Sequence, residues 1–160
     1  MRLGILSDTH DWVQLTAGAV ALLQAEGAEA LIHCGDLTGP EIVQTCASIP
    51  SYFVFGNCDH DHQTLRRVIE KTGGNCLGRA GSVSLGGRRI AVTHGHLTDE
   101  VERLARAEPD YLLFGHTHRA SDLRDGPTRF INPGALDRVR QCTVALLDLE
   151  DDSLRFLEVR

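Results

Sequence analysis

Apolar runs and polar punctuation alternate along the chain in a way that separates strands from helices. "RLGIL" (2–6) is a run of strand length, and "EALIH" (29–33) and "SYFVF" (51–55) repeat it. Between the first two, Asp11 with Gln14 reads as a capping box for a helix ending near Gly27. Pro40 suits the first turn of a short helix reaching about Ala47. Leu65, Val68, Ile69 and Thr72 share one helical face, closed by Gly73–Gly74. "SVSLGGRRIAVTH" (82–94) reads as a hairpin turning at Gly86–Gly87, and a short helix follows from Thr98 or Asp99 to about Ala107. "YLLF" (111–114) is another buried strand. After it come strands alone: "RASDLR", "TRFIN", "TVALLDLE" and "LRFLEV", with turns at Asp125–Gly126 and Glu150–Asp152. Helices early and strands late predict an α/β sandwich with a mixed sheet. No linker, repeat or low-complexity segment interrupts residues 1–160, so a single domain is expected.

Each apolar strand runs into residues of one chemical kind. "RLGIL" ends in Ser7-Asp8-Thr9-His10, "ALIH" in Cys34-Gly35-Asp36, and "YFVF" in Gly56-Asn57-Cys58-Asp59. "RIAV" ends in Thr93-His94-Gly95-His96, and "YLLF" in Gly115-His116-Thr117-His118. The downstream ends of strands in an α/β sheet share a rim, where ligands bind. Helix caps and turns do not call for carboxylates, amides and imidazoles at five such ends in order.

Composition narrows the chemistry. A net charge of −6 gives no electrostatic footprint for a stable nucleic-acid partner. The start carries Asp8 and His10 and has no long apolar run, so neither a signal peptide nor a membrane span is expected. Five cysteines without a Cys-x-x-Cys pair argue against a disulfide framework and a thiolate zinc site, and make a reducing cytoplasm the expected location.

Asp offers hard anionic oxygen, His neutral nitrogen, and Asn an uncharged oxygen, a set suited to a two-metal site. If the segments are extended, Asp8-x-His10 and His116-x-His118 each point two side chains to one face. They then reach one ion, or two ions about 3.5–4 Å apart. Glycines before Asp36, Asn57 and His116 allow close backbone approach.

Read as D-x-H, G-D, G-N, H-G-H and G-H-x-H from Asp8 to His118, the chain resembles the calcineurin-like metallophosphoesterases. Its small size, "GNCD" and the downstream "NPGA" (132–135) look most like the YfcE-like phosphodiesterase group. The resemblance implies a two-sheet β-sandwich flanked by helices, an αββα arrangement. It implies that Asp8, His10, Asp36 and His118 hold one divalent ion. Asp36, Asn57, His94 and His116 hold the other and form the catalytic set, with Asp36 bridging. Manganese is expected first, with iron, zinc, nickel or cobalt as alternatives. The implied activity is hydrolysis of a small phosphoester, foremost a phosphodiester, by a hydroxide held between the ions. The alternatives are a phosphomonoesterase or pyrophosphatase with the same site, or an interaction scaffold of the retromer-subunit type, which lacks part of the ligand set. A homodimer or homotetramer is compatible with the resemblance.

The remaining residues of the strand ends carry finer expectations. In much of the wider superfamily a His follows the Asn and is thought to protonate the leaving oxygen; here Cys58 stands there, a weak donor or a packed residue. His60 and His62 read as solvated loop residues, either of which, folding back, supplies that proton. Asp59 reads equally as a partner orienting a ligand His or as a cap of the next helix. His96 is expected against substrate or against a ligand. His33 is expected as a hydrogen-bonded core residue, and Cys34, Cys46, Cys76 and Cys142 as small buried apolar residues. Asn132-Pro133-Gly134 reads as a turn, placed near the site by the resemblance, with a phosphate contact as its expected functional role. Arg79, Arg119 and Arg138 are candidates for phosphate recognition by residue type.

Overall fold

The computed structural model describes residues 1–160. Its elements are β1 (Arg2–Leu6), α1 (Val13–Ala25), β2 (Ala30–His33), α2 (Pro40–Cys46), β3 (Ser51–Phe53), α3 (His62–Lys71), β4 (Asn75–Cys76), β5 (Ala80–Leu85) and β6 (Arg88–Thr93). There follow α4 (Thr98–Ala105), β7 (Tyr111–Leu113), β8 (Ser121–Asp125), β9 (Thr128–Asn132), β10 (Cys142–Asp148) and β11 (Leu154–Val159). Six strands form one sheet in the order β11-β10-β1-β2-β3-β4, and five form a second in the order β5-β6-β7-β9-β8.

The period of two along each strand builds the layers. In β1, Leu3 and Ile5 face the second sheet while Leu6 faces the helices; in β2, Ile32 and Leu31 divide in the same way. Ile90, Val92, Tyr111, Leu113 and Ile131 answer from the second sheet and close the core between the sheets. On the other side of the first sheet, Ala19, Val20 and Leu23 of α1, Ile42 and Val43 of α2, and Leu65 and Ile69 of α3 form a second core with Leu6, Leu31 and Phe53. Ala91 and Leu112 turn the opposite way from their neighbours and pack on Leu104 of α4. The result is the expected αββα stack, with three helices on one sheet and one on the other.

Within the first sheet β1, β2, β3 and β4 run parallel, and β6, β7 and β9 do so in the second. The downstream ends of β1, β2, β3, β6 and β7 therefore open on one side of the molecule, three from one sheet and two from the other. Strand β4 lies beyond what the sequence pattern marked.

One helix start departs from expectation. Asp11 and Gln14 form no capping box: Trp12 is the N-cap of α1 and makes no side-chain cap bond. The loop before it is committed elsewhere. The N–H groups of His10 and Asp11 donate to the carbonyls of Asp36 and Leu37, tying the β1 and β2 loops together. At α3, Asp61 is the cap and accepts from the Thr64 N–H at 3.0 Å.

Candidate metal centre

Five of the seven candidate ligands sit in left-handed backbone rather than in extended segments. Asp8, His10, Asp36, His116 and His118 all have positive φ, between 42° and 67°. The β-type alternation expected for Asp8-x-His10 and His116-x-His118 is thus absent. Left-handed turns aim these side chains instead, at a conformational cost that side chains other than Gly, Asn or Asp bear poorly. Glycines make room for the crowding. A Cβ on Gly56 would run into Asp36 Oδ1, one on Gly115 into Ser7 Oγ, and one on Gly35 would lie 2.8 Å from His94 Nδ1.

Five of the seven converge. Asp8 Oδ1 lies 3.1 Å from His118 Nε2 and 3.9 Å from His94 Nε2. Asp36 Oδ2 lies between His94 Nε2 at 3.3 Å and His10 Nε2 at 3.6 Å. Ligand atoms of Asp8, His10 and His118 fall within 4.8 Å of one another, as do those of Asp8, Asp36 and His94. His116 stays outside these groups, and both it and Asn57 are exposed at the mouth. The Asn57 amide donates to Cys58 Sγ at 3.3 Å, and the His116 ring lies 5.2 Å from that of His94.

Two tautomers are set by neighbours. Nδ1–H of His94 donates to the Cys34 carbonyl at 2.8 Å, and Nδ1–H of His118 donates to the Asp137 carbonyl at 3.1 Å. When neutral, each ring presents a bare Nε2 to the cluster, the arrangement that orients metal-bound imidazoles. For His118 this leaves two acceptors, its Nε2 and Asp8 Oδ1, facing each other across 3.1 Å. Asp8 Oδ1, His10 Nε2 and His94 Nε2 are buried and make no hydrogen bond. Buried polar atoms without partners are costly. A cation between them removes that cost, so the donor set fits divalent ions.

The electrostatics agree. Burial opposes charge on Asp36, yet the His94 imidazole and the Cys58 N–H, at 2.8 Å, hold its carboxyl below the usual carboxylate range. Burial opposes charge on His94 too, but Asp36 and Asp8 raise that imidazole above its ordinary value, so a proton and a metal ion compete for its Nε2. The two carboxylates thus attract positive charge into the site.

Other side chains hold the loops rather than the ions. Asp59 neither orients a ligand His nor caps α3: its carboxylate accepts the N–H groups of Asp36 (2.9 Å), Thr38 (2.7 Å) and Gly56 (2.7 Å), pinning the β2 and β3 loops together. His33 is the hydrogen-bonded core residue expected. The Gly35 N–H donates to its Nδ1 at 3.2 Å, so its Nε2–H donates to Thr9 Oγ1 at 3.1 Å, and Thr9 Oγ1 donates to the Asp36 carbonyl at 3.3 Å. Burial, and then His94, push His33 down to about 3, which keeps it neutral. Cys34 and Cys46 are buried as expected, while Cys76 and Cys142 are half-buried.

Asn132 has no amide group left for phosphate. It donates to the Gly115 carbonyl (2.8 Å) and Thr117 Oγ1 (3.0 Å) and accepts from the Gly134 N–H (2.9 Å), bracing the His116–His118 turn. Asp137, unmarked by the sequence reading, holds His118, accepts from Trp12 Nε1 at 2.9 Å and pairs with Arg138 at 3.1 Å. A lone Asp in a loop carries no sequence signal for such a role.

His96 lies beside two ligand rings, with centroids 5.4 Å from His94 and 6.1 Å from His116. With Asn57, Asp59, His60, His62 and Arg79 it lines a polar cleft. His62 is no solvated loop residue: it opens α3 and stacks on Phe55, ring centroids 4.4 Å apart. His60 is exposed, as expected. Burial, and then Asp36, push the Cys58 thiol up to about 11.

Comparison with known proteins places the chain. The model of the calcineurin-like phosphoesterase superfamily domain matches residues 1–152, and the chain belongs to that family. It is 26% identical to phosphodiesterase MJ0936 of Methanocaldococcus jannaschii, over 97% of each chain. It is 32% identical to the probable metallophosphoesterase YsnB of Bacillus subtilis, over 96% of this chain and 87% of that one. A solved archaeal phosphodiesterase superposes with a TM-score of 0.91 at 25% identity, over 99% of each chain. Two further likenesses bear on the sequence expectations. Escherichia coli phosphodiesterase YfcE is 28% identical over 85% of this chain and 79% of its own. Zinc-bound Vps29 of Entamoeba histolytica, at 21% identity and a TM-score of 0.67, over 99% of this chain and 91% of that one, shares the fold. No helix is long and apolar enough to cross a membrane.

Proposed function

We propose that this protein hydrolyses small phosphodiesters at a dinuclear centre. Asp8, His10, Asp36 and His118 hold one ion; Asp36, Asn57, His94 and His116 hold the other. The observation that carries the reading is the set of carboxylate oxygens and imidazole nitrogens turned toward one another, Asp8 Oδ1 on His118 Nε2 and Asp36 Oδ2 between His10 and His94. The phosphodiesterases among the relatives support the substrate class. The likeness to Vps29 is one of fold, and every ligand position of the family pattern is filled here, which favours catalysis over a scaffold role. Manganese is the ion proposed first, since mixed nitrogen and oxygen donors accept it among several. Five free cysteines support a cytoplasmic setting.

Divalent ions held here lower the pKa of a bound water and offset charge developing at phosphorus. The residues do the rest. Asp36 joins the two halves of the site. Cys34 and Asp137 fix the His94 and His118 rings through their carbonyls. Asn57 and His116, at the mouth, would hold the second ion together with Asp36 and His94. Water adds to phosphorus, one P–O ester bond breaks, and the departing oxygen takes a proton. A thiol is a weak acid, and Cys58 is a poor source of that proton. Such a site favours diesters with good leaving groups, unless His60 or His62 supplies the proton from the cleft.

The test is to strip the protein with chelator, restore Mn²⁺, and compare a chromogenic diester with its monoester. Metal-dependent diester turnover is expected, reduced more than about 100-fold in Asp36→Asn, beyond what losing an outer partner costs. Two ions bound with neither ester turned over across Mn²⁺, Fe²⁺, Co²⁺, Ni²⁺ and Zn²⁺ overturns the reading.

A further inference from the structure

The two flanks of the cluster differ in charge pairing. On the His118 flank, Arg138 is held by Asp137 at 3.1 Å. On the His116 flank, Arg79 lines the cleft with His60, His62 and His96, and it makes neither an ion pair nor a hydrogen bond. The carboxylates nearest it in the chain are spent. Asp59 accepts three backbone N–H groups, and Asp61 caps α3. No apolar side chain lines this cleft, so an aromatic or lipid group gains no burial by entering it.

The cleft is also joined to the metal centre. Asn57 belongs to both, and the His96 ring stands beside His94 and His116. Its walls are anchored: His62 is stacked on Phe55, with interplanar angle 10°, and the Arg66 guanidinium lies 5.9 Å from the Phe55 ring centre. His96 Nδ1 is buried and makes no hydrogen bond. An unpaired guanidinium beside three imidazoles, one of which (His96) has a buried unpartnered Nδ1, suits an anion, the one carboxylate in the lining, Asp59, being turned to backbone N–H groups.

We propose that this cleft is a subsite for a second anionic group of the substrate, a phosphate or carboxylate carried by one alcohol of the diester, with Arg79 as its principal determinant. The proposal rests on the phosphodiesterase reading and narrows it. The reacting phosphoryl group occupies the ions while the second anion sits against Arg79 and His96. Substrates with a single charge lose that contact.

Two 4-nitrophenyl esters of thymidine 5′-phosphate test it, one bearing a 3′-phosphate and the other a free 3′-hydroxyl. They share leaving group, sugar and base, and differ in one anionic group. With the Mn²⁺-loaded protein, kcat/KM is expected to be about tenfold higher for the 3′-phosphorylated ester, the range of a hydrogen bond to a charged group. The ratio falls to near one in Arg79→Gln, recovers in part in Arg79→Lys, and persists in Arg138→Gln, which removes the same charge from the opposite flank. Equal kcat/KM in the unaltered protein overturns the subsite, as does a ratio that survives Arg79→Gln or collapses equally in Arg138→Gln. Failure to turn over either ester counts against the phosphodiesterase reading instead. The subsite is then judged by calorimetry, where thymidine 3′,5′-bisphosphate is expected to bind about tenfold tighter than thymidine 5′-phosphate in an Arg79-dependent manner. Equal affinities overturn it.

Discussion

The inner and outer halves of the proposed metal centre are built on different principles. Asp8 and His94 are fully buried and Asp36 nearly so. Their atoms are fixed by backbone and side-chain hydrogen bonds: Asp8 Oδ2 accepts from the His116 N–H at 3.0 Å, Asp36 Oδ1 from that of Cys58, and His94 donates to Cys34. Asn57 and His116 have no such restraint on their functional atoms and face solvent. The inner half is therefore held by the fold's own hydrogen bonds, at the cost of left-handed backbone at Asp8 and Asp36 and of buried unpartnered atoms on Asp8 and His94. The outer half can adjust as substrate replaces water. Rigidity is placed where two charges must be held close, and freedom where a ligand must enter and leave.

Disturbing the inner half should thus cost most, even through a residue that ligates nothing. Gly115→Ala puts a Cβ into Ser7 Oγ and 2.7 Å from Asp8 Oδ2. Either the β7 loop or Asp8 must move. Metal affinity, measured by calorimetry on chelator-treated protein, is expected to fall about 10- to 100-fold. Stability in urea should drop by about 1–3 kcal/mol, as for other overpacked sites. Gly18, in α1, has open space around it. Gly18→Ala should leave metal affinity unchanged and add about 0.5–1 kcal/mol of stability. Equal effects from the two substitutions would remove the distinction between a site held by the fold and ordinary helix surface.

The next effect tests the support beneath the inner half. His33 is held near 3, below the value of about 6.5 expected in the unfolded chain. Between those values the unfolded state binds a proton that the native state does not, so stability falls as pH falls from about 6.5 toward 3. The slope is at most about 1.4 kcal/mol per pH unit, or about 2 kcal/mol between pH 7 and pH 5. His33→Asn can still accept from the Gly35 N–H but cannot titrate. Urea unfolding of metal-free protein should show a drop from pH 7 to pH 5 that is smaller in the variant by about that amount. Identical drops would mean that His33 is already protonated in the native state, and that the bond to Thr9 is not donated by a neutral ring.

Much of this was legible in the sequence, and the gaps have physical causes. Strand positions and the identity of the ligand-type residues followed from apolar runs ending in Asp, Asn and His. Aim did not follow, because an alternating strand and a left-handed turn can present the same Asp-x-His spelling. The expected cap at Asp11 failed because that loop bonds to Leu37 in a distant strand's loop, a contact no local window contains. Asp59 was misread for the same reason: its three donors come from Asp36, Thr38 and Gly56, two of them more than twenty residues away. Candidate ligands are recognised by type. Residues that hold those residues are recognised only by where the chain brings them.

Cys58 lies on the border between the two halves, and its substitution should have the smallest effect. Its thiol falls within 4.8 Å of ligand atoms on both His10 and Asp36, close enough for an ion to share all three. Its protonation argues the other way. Burial and the Asp36 charge push it up to about 11, and a thiol must lose its proton to ligate. A divalent ion lowers a thiol pKa, so the two arguments meet in one measurement. If Asn57 supplies the ligand and Cys58 is a neighbour, Cys58→Ser keeps two ions per chain by elemental analysis. Diester kcat/KM then changes no more than about twofold, the scale of a substitution outside the working contacts. Loss of one ion, or a thiolate-to-cobalt charge-transfer band in the Co²⁺-loaded protein that vanishes in Cys58→Ser, would instead make Cys58 a ligand. The inner half would then extend one residue further toward the mouth than the hydrogen bonds suggest.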